Sequence, residues 1–598
     1  MRLKLILFYL LILPGIAAGA RGPLADNISP YLDMHADDPV QWRLWSDEVL
    51  QQARRENKLI FISSGYFACH WCHVMQRESF RNEAIAALLN QMTIPVKIDR
   101  ELLPELDAAL VAFVEQTRGA AGWPLNVFLT PEGYPLVGTV YLSPDEFVAF
   151  VEKLKQRWNS DSEMLAGLAR RAAQQELKPL PRASVIPLPK LMAALRHRFS
   201  EAIRLQGDFL EGGVGDGAKF PETPLLEALL DQSASDETFK AITILTLEQM
   251  SSQGLRDHLG GGFFRYTVDP GWQQPHFEKM LYDNAQLARL YLRAAKVLKS
   301  PAYRDTALET LDFMLREMWH RDGAFIASLS AVDEVGVEGG YYLWTHEQLQ
   351  AELSEQQYRM LNIAWSFHGT AEWEAGLLAL PLLSAQEVAE RLTMPLATVQ
   401  QQLRDVTQTL LRVRQQRSLP RDEKRLAGWN GLALSALSEA INAKTQYRRA
   451  GKVVRDYLHT LWDGKRLWRL HAVDGIPGAL EDYVYVAQGL LDWASASGDR
   501  DSHELAVKLV DVAWQRFHDE RGWHRGEGEA VRLFSRPSAM LGDDQLPSAS
   551  ALWLRLNRML GRQAPMGQSM IVEAELLLAE PLRYPSYLVE MEQLTRPN

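Results

Sequence analysis

The fold is decided between Leu59 and Phe80, LIFISSGYFACHWCHVMQRESF, a stretch that holds the only two cysteines of a 598-residue chain. An apolar run, Leu59 to Ile62, enters a short loop at Gly65. Beyond the cysteines the apolar spacing turns helical, with Val74, Phe80, Ile85 and Leu88 on one face. The pattern reads strand, turn, helix. A thiol in the first turn of a helix meets unpaired backbone N–H groups and the positive end of the dipole, and both favour the thiolate. Cys69 is therefore the expected nucleophile, and Cys72, three residues on and more shielded, the resolving thiol. His70 and His73 are read as added positive charge, so a lowered Cys69 pKa is expected.

The same residues spell other chemistries. Cys-x-x-Cys-His is also a haem-attachment pattern, but a motif that follows an apolar strand and opens a helix argues against it. Zinc would need a donor from elsewhere, because Cys69, His70, Cys72 and His73 lie too close in sequence to all face one tetrahedral ion. An inert structural bridge would ordinarily close a longer loop. No cofactor and no metal are expected. With 47% hydrophobic and 23% charged residues the chain can build several cores. A net charge of −11, without a basic cluster interleaved with aromatics, argues against nucleic acid. Arg2 and Lys4 precede an apolar run, Leu5 to Leu13, and Ala18-Gly19-Ala20 offers a cleavage site, so residues 1–20 read as a secretory signal peptide. A secreted or periplasmic protein is expected, with no stable membrane insertion after cleavage. An exported chain with two cysteines in one motif uses them for chemistry rather than scaffolding.

Around the motif the order of elements is regular. An amphipathic helix spans Ser46 to Glu56, the motif helix runs to about Asn90, and Thr93 to Asp99 reads as a second buried strand. A helix from Pro104 to about Gln116 leads to Trp123-Pro124. Leu125 to Leu129 and Tyr134 to Leu142 form a hairpin, and Ser143 to Trp158 a closing helix. This α/β unit resembles a thioredoxin fold, with Trp123-Pro124 matching the cis-proline that faces the Cys-x-x-Cys. The resemblance implies that the substrate chain pairs beside Trp123 and Pro124; His70 and Trp71 complete the expected contacts. A disulfide more oxidising than thioredoxin's is expected. One departure stands out: the buried acid six residues before the first cysteine is Ser63 here, so the usual proton acceptor for the resolving thiol is missing.

From Glu163 the chain is helical to about Gln175, and Pro179, Pro181, Pro187 and Pro189 mark a linker. The expected domains are 21–178 (thioredoxin-like) and 190–598, with 179–189 between them. Beyond the linker apolar residues recur at three or four, as in Leu287, Leu290, Tyr291 and Ala294 or Leu434, Leu437 and Ile441. Consecutive helical pairs over some four hundred residues fit an all-α (α/α)6 six-hairpin toroid, since a bundle of that size would have no single core.

The loops carry GGVGDGAKFP from Gly212, DHLGGGFFRY from Asp257, PHFEKMLYDN from Pro275, Arg421-Asp422, GWNG from Gly428 and LEDY from Leu480. No strand precedes the glycine clusters, so a dinucleotide site is not expected. With CHWCHVM, these strings resemble the spermatogenesis-associated protein 20 family of thioredoxin-domain proteins over nearly the whole mature chain. The resemblance implies a thioredoxin-like domain joined to a toroid similar to glycoside hydrolases and N-acylglucosamine 2-epimerases. Asp257, His258, Arg265, His276, Glu278, Asp283, Trp429, Asn430, Glu481 and Asp482 are then expected at one mouth of the toroid. Two departures count against a sugar site: Ala331 stands where an acid is usual, and the late Pro-Ser-Gly-Asn segment reads Pro547-Ser548-Ala549-Ser550.

Three functions follow: an exported thiol–disulfide oxidoreductase acting on a protein thiol or disulfide client, a carbohydrate-active toroid with an accessory redox domain, and a client-binding module without turnover. The first takes precedence because the cysteine pair is the sharpest chemical feature of the chain.

Overall fold

The computed structural model describes residues 22–176, 188–366, 373, 375–471, 475–527, 538, 540–562 and 574–595; the expected signal peptide at 1–20 and residues 179–187 of the linker lie outside the described residues. The central strand of the first domain, β1 (Leu59–Gly65), pairs in parallel with β2 (Thr93–Asp99) and antiparallel with β3 (Leu125–Leu129), and β3 pairs with β4 (Pro135–Thr139). A strand buried on both faces must be apolar on both. Phe61 accordingly packs with Trp42, Phe80, Phe128 and Phe147 on one side. Ile60 and Ile62 pack with Val96, Leu106 and Leu110 on the other. The layers are α1 (Asp47–Glu56), α2 (His70–Met75), α3 (Glu83–Met92), α4 (Pro104–Arg118) and α5 (Pro144–Glu176). This is a thioredoxin-like domain.

One helix boundary differs from the sequence reading. The motif helix does not continue to Asn90: it loosens into a π-turn over Gln76–Phe80, and Asn82 caps a new helix by accepting from the N–H groups of Ala84 (3.0 Å) and Ile85 (3.3 Å). The two helices expected around 143–158 and 163–175 follow one another along α5, and the break between them is at Asp161, whose backbone (φ −136°, ψ 30°) leaves the helical region.

The second domain is a ring. Its helices are α6 (Leu188–Gln206), α7 (Thr223–Gln232), α8 (Glu237–Ser252), α9 (Leu281–Val297), α10 (Pro301–Glu317), α11 (His346–Glu352), α12 (Glu355–Ala364), α13 (Ala385–Leu392), α14 (Leu396–Arg414), α15 (Ala427–Glu439), α16 (Thr445–Thr460), α17 (Leu480–Ser497), α18 (Arg500–Phe517), α19 (Ala549–Met559), α20 (Ala574–Ala579) and α21 (Pro585–Thr595). Helix α7 packs on α9, α9 on α15, α15 on α17, α17 on α19, α19 on α21, and α21 back on α7, which closes six inner helices into a toroid. Helices α6, α8, α10, α16, α18 and α20 lie outside them. Of the inner helices, α15 is covered all round: every residue from Ala427 to Ser438 is buried. Where α15 crosses α17 a Cβ on Gly489 would strike the backbone of Gly431, so only glycine permits this approach.

One part of the fold has no counterpart in the sequence reading. Helices α11 to α14 form an excursion with its own core of Trp344, Leu349, Leu361, Val388, Val399 and Leu410. Among the described residues no helix is long and apolar enough to cross a membrane.

The two domains are clamped together. The Lys424 ammonium, from the toroid, pairs with Asp99, with Glu101 at 3.0 Å and with Asp422 at 3.0 Å, and all four side chains are buried. Arg469 donates to the Glu101 carbonyl at 3.2 Å, and the Ala331 amide donates to the carbonyl of Ala68, the residue before Cys69, at 3.2 Å. The core of the ring takes in Tyr31, Tyr66, Cys69 and Cys72.

Candidate active site at the domain junction

Cys69 is the N-cap of α2. Its sulfur accepts from the Cys72 N–H at 3.1 Å, and the two cysteines form a disulfide with Cα atoms 5.3 Å apart. Both are almost wholly buried, Cys69 at 2% and Cys72 at 1% exposure, yet Cys69 lines a cavity of about 900 Å³ between the domains. Tyr66, Trp71, Trp123, Glu278, Trp429 and Glu481 line it too. The structure thus brings together in one space Cys69, Trp71 and Trp123 from the first domain with Arg265, Glu278, Trp429 and Glu481 from the ring.

The Trp123–Pro124 peptide bond is cis. The Trp123 indole donates to Asp107 at 3.0 Å and lies 3.7 Å under the Arg100 guanidinium, which also covers the Tyr66 ring. Trp71 is 38% exposed and packs on Tyr141.

The electrostatics differ from the expectation at both histidines. Burial lowers the His70 pKa, and burial pushes His73 down to about 4, with its ring on the Phe67 carbonyl at 2.8 Å. Neither supplies the positive charge expected beside Cys69 at neutral pH. A carboxylate sits there instead: Glu278 accepts from the His70 N–H at 3.4 Å, at the N-terminus of α2, and from Tyr66 Oη at 2.7 Å. Burial raises the Glu278 pKa, against the opposing pull of Arg265 at 3.3 Å. His276 pairs with Glu338, which also lies 3.5 Å from His70, and the two imidazoles stack at 5.5 Å. Burial alone would lower His276, but Glu338 outweighs it and holds the pKa above the ordinary value.

Behind the disulfide, the missing acid at Ser63 is matched by a cation. Lys97 donates to Ser63 Oγ at 3.0 Å among the rings of Tyr31, Trp42 and Phe80, and burial pushes it down to about 7. The Tyr31 hydroxyl is buried with no hydrogen-bond partner among the described residues. A Cβ on Gly65 would collide with both this hydroxyl and Cys72 Sγ, so the two groups leave no room for a methyl at this position.

Several expected mouth residues serve the framework. Asp257 holds Arg414 at 2.9 Å and Lys279 at 2.6 Å, and these cations keep its carboxyl far below the usual range despite burial. His258 is bound to the Gln253 carbonyl at 2.9 Å. Asn430 bridges the Phe325 N–H and carbonyl at 2.8 and 3.0 Å. Asp482 accepts from the Gly428 and Ala479 amides at 3.0 and 2.9 Å, and burial raises it to about 6. Asp283 is buried in α9, and burial raises it to about 8. Ala331 makes the docking bond to Ala68 where an acid was expected, and Ser548 caps α19 by accepting from Ala551 N at 3.2 Å. The sequence reading missed Arg100, Asp107, Asp543 and Asp544, which line the cavity; their separation in sequence gave no signal. Among the described residues no group of three or more histidine, cysteine or acidic side chains is arranged to hold a metal ion.

Fold and site together define a protein with a thioredoxin-like domain seated on a six-hairpin helical toroid, its cysteine pair at the seam. A family profile for a DsbH-type thioredoxin domain, described as a protein of unknown function (DUF255), matches residues 21–177. Human spermatogenesis-associated protein 20 is 33% identical over 552 residues, covering 83% of this chain and 70% of the human one. The chain belongs to the spermatogenesis-associated protein 20 family. Among solved structures, cellobiose 2-epimerase from Bacillus thermoamylovorans is 10% identical with a TM-score of 0.36, covering 56% of this chain and 74% of its own. A DsbH oxidoreductase is 20% identical with a TM-score of 0.17, covering 20% of this chain and 85% of its own.

Proposed function

We propose that the chain is an exported thiol–disulfide oxidoreductase in which the toroid presents the substrate to Cys69. The observation that carries this is the position of Cys69: at the start of a helix, bonded to Cys72, and lining a cavity to which both domains contribute. The Cys69 thiolate attacks one sulfur of a substrate disulfide, forming a mixed disulfide and expelling the first thiolate, which takes a proton. The Cys72 thiolate then attacks Cys69 Sγ, closes the internal disulfide and releases the second thiolate. An external dithiol reduces the pair again. The Glu278 carboxylate opposes negative charge at the N-terminus of α2, so the reductive direction is favoured over the oxidising one that a positively charged motif would give.

The test is a redox titration of the purified protein, reading Cys69 and Cys72 by alkylation and intact mass. The expected result is one reversible two-electron transition that Cys69→Ser abolishes. Disulfide exchange that survives unchanged in Cys69→Ser refutes the reading. A carbohydrate reading rests on Trp123, Trp429, Glu278 and Glu481 sharing the cavity. It requires sugar binding that persists in Cys69→Ser and is lost in Glu278→Gln.

A further inference from the structure

We infer that the substrate is a low-molecular-weight disulfide or thiol with charged, amino-acid-like arms, and not a folded protein; this rests on the redox reading above and narrows it. The argument starts from access. A thioredoxin-like domain acting on proteins offers its cysteine turn and its cis-proline loop to an incoming surface. Here both are turned toward the ring. Ala331 holds the carbonyl of Ala68, Glu278 holds Tyr66 and the His70 amide, and Trp123 lies within reach of the Arg265 guanidinium, 5.4 Å from its ring. With Cys69 at 2% exposure, a folded client could bring its disulfide to this sulfur only if the domains separated. Separation would strip Lys424 from Asp99 and Glu101 and Arg469 from the Glu101 carbonyl. Breaking a buried ion pair is costly, because it leaves uncompensated charge.

Size points the same way. The cavity of about 900 Å³ lies within the roughly 300–1,000 Å³ of small-molecule sites. Its lining carries both signs: the guanidiniums of Arg100, Arg525 and Arg583 and the carboxylate of Asp544, whereas Asp543 is tied to Ser548 and Ser586. Guanidiniums suit carboxylate arms and carboxylates suit ammonium arms. In the reaction one small disulfide takes two electrons and two protons from the Cys69–Cys72 dithiol and leaves as two thiols; a dithiol such as dithiothreitol restores the enzyme.

The experiment mixes the reduced full-length protein with glutathione disulfide, cystine, 2-hydroxyethyl disulfide or insulin and follows oxidation of the cysteine pair by rapid quench and alkylation. Saturable oxidation by glutathione disulfide or cystine, at least 100-fold faster per mole than by insulin and at least 10-fold faster than by the neutral disulfide, is expected. Ala112→Trp and Ala108→Trp, which add bulk to the cavity wall, raise half-saturation at least 10-fold without moving the midpoint potential. Two substitutions on α4 guard against one that fails to fold. Insulin reacting as fast as the small disulfides overturns the inference, and equal rates for charged and neutral disulfides overturn its charged-arm part. A pair that cycles with dithiothreitol but shows no saturation with any small disulfide overturns this inference alone. A pair that does not cycle with dithiothreitol removes the redox reading itself.

Discussion

Replacing Lys424 by methionine should loosen the two-domain assembly, and the defect should grow with pH. The side chain keeps its length and loses its charge, which leaves Asp99, Glu101 and Asp422 facing one another at 0–1% exposure. Removing one partner of a buried ion pair typically costs about 3–5 kcal/mol, on the order of several degrees of Tm. Burial lowers the Lys424 pKa, but its three carboxylates outweigh that and hold it well above the ordinary value. Its contribution is therefore present at all pH below about 10.4 and is lost only as pH rises through the folded value. Burial raises Glu101 to about 8 and also raises Asp422. A carboxyl with a raised folded pKa binds more protons in the folded state, so stability falls as pH climbs from about 4.5 toward 8. Without the ammonium these carboxyls rise further and the fall steepens. Thermal unfolding of wild type and Lys424→Met, followed by tryptophan fluorescence at pH 5 and pH 8, measures it. The Tm deficit should be present at pH 5 and larger by several degrees at pH 8. A deficit of equal size at both pH values, or none at either, would show that the cluster does not clamp the domains.

Glu278→Gln removes the carboxylate at the N-terminus of the motif helix. Thiolate formation becomes easier, and the midpoint potential should rise by about 30 mV, the equivalent of roughly 1.4 kcal/mol; a fall or no change in a dithiothreitol titration would exclude this role. Gly65→Ala pushes a methyl against Tyr31 Oη, Tyr31 Cζ and Cys72 Sγ and should cost about 1–3 kcal/mol of stability. Adding Tyr31→Phe removes the nearest of the three colliding atoms and should recover part of that loss in a double-mutant cycle of thermal or denaturant unfolding. Because the folded His276 pKa is raised, its pair with Glu338 contributes below about pH 6.5 and fades as pH rises through the folded value. His276→Gln should therefore lower Tm at pH 6 and hardly at pH 9.

The first domain was legible because its signals are local. A continuous apolar strand, a cysteine turn and a change to helical spacing fall within Leu59 to Phe80, and each follows from neighbours in sequence. The break after Met75 was harder to see, since the apolar positions Val74, Phe80 and Ile85 keep a helical spacing across it, and only the Asn82 cap marks the new start. In the ring the helical periodicity of the inner and outer helices was visible, whereas the excursion from α11 to α14 uses the same spacing as its surroundings. At the site, residue type alone could not separate chemistry from framework. Glu278 and Glu481 line the cavity while Asp257 and Asp482, equally acidic, tie amides and cations together. Arg100 and Asp107 join the site only through folding, which brings them to Trp123.

The bond between the Ala331 amide and the carbonyl just before Cys69 places the seam against the cysteine pair. Oxidation state and domain docking are then two equilibria that share one thermodynamic cycle. If the oxidised motif docks tenfold more tightly than the reduced one, docking must lower the midpoint potential by about 30 mV, and the reverse holds for the opposite preference. Under the redox function proposed above, a ligand that tightens the seam of one oxidation state shifts that potential without touching either sulfur.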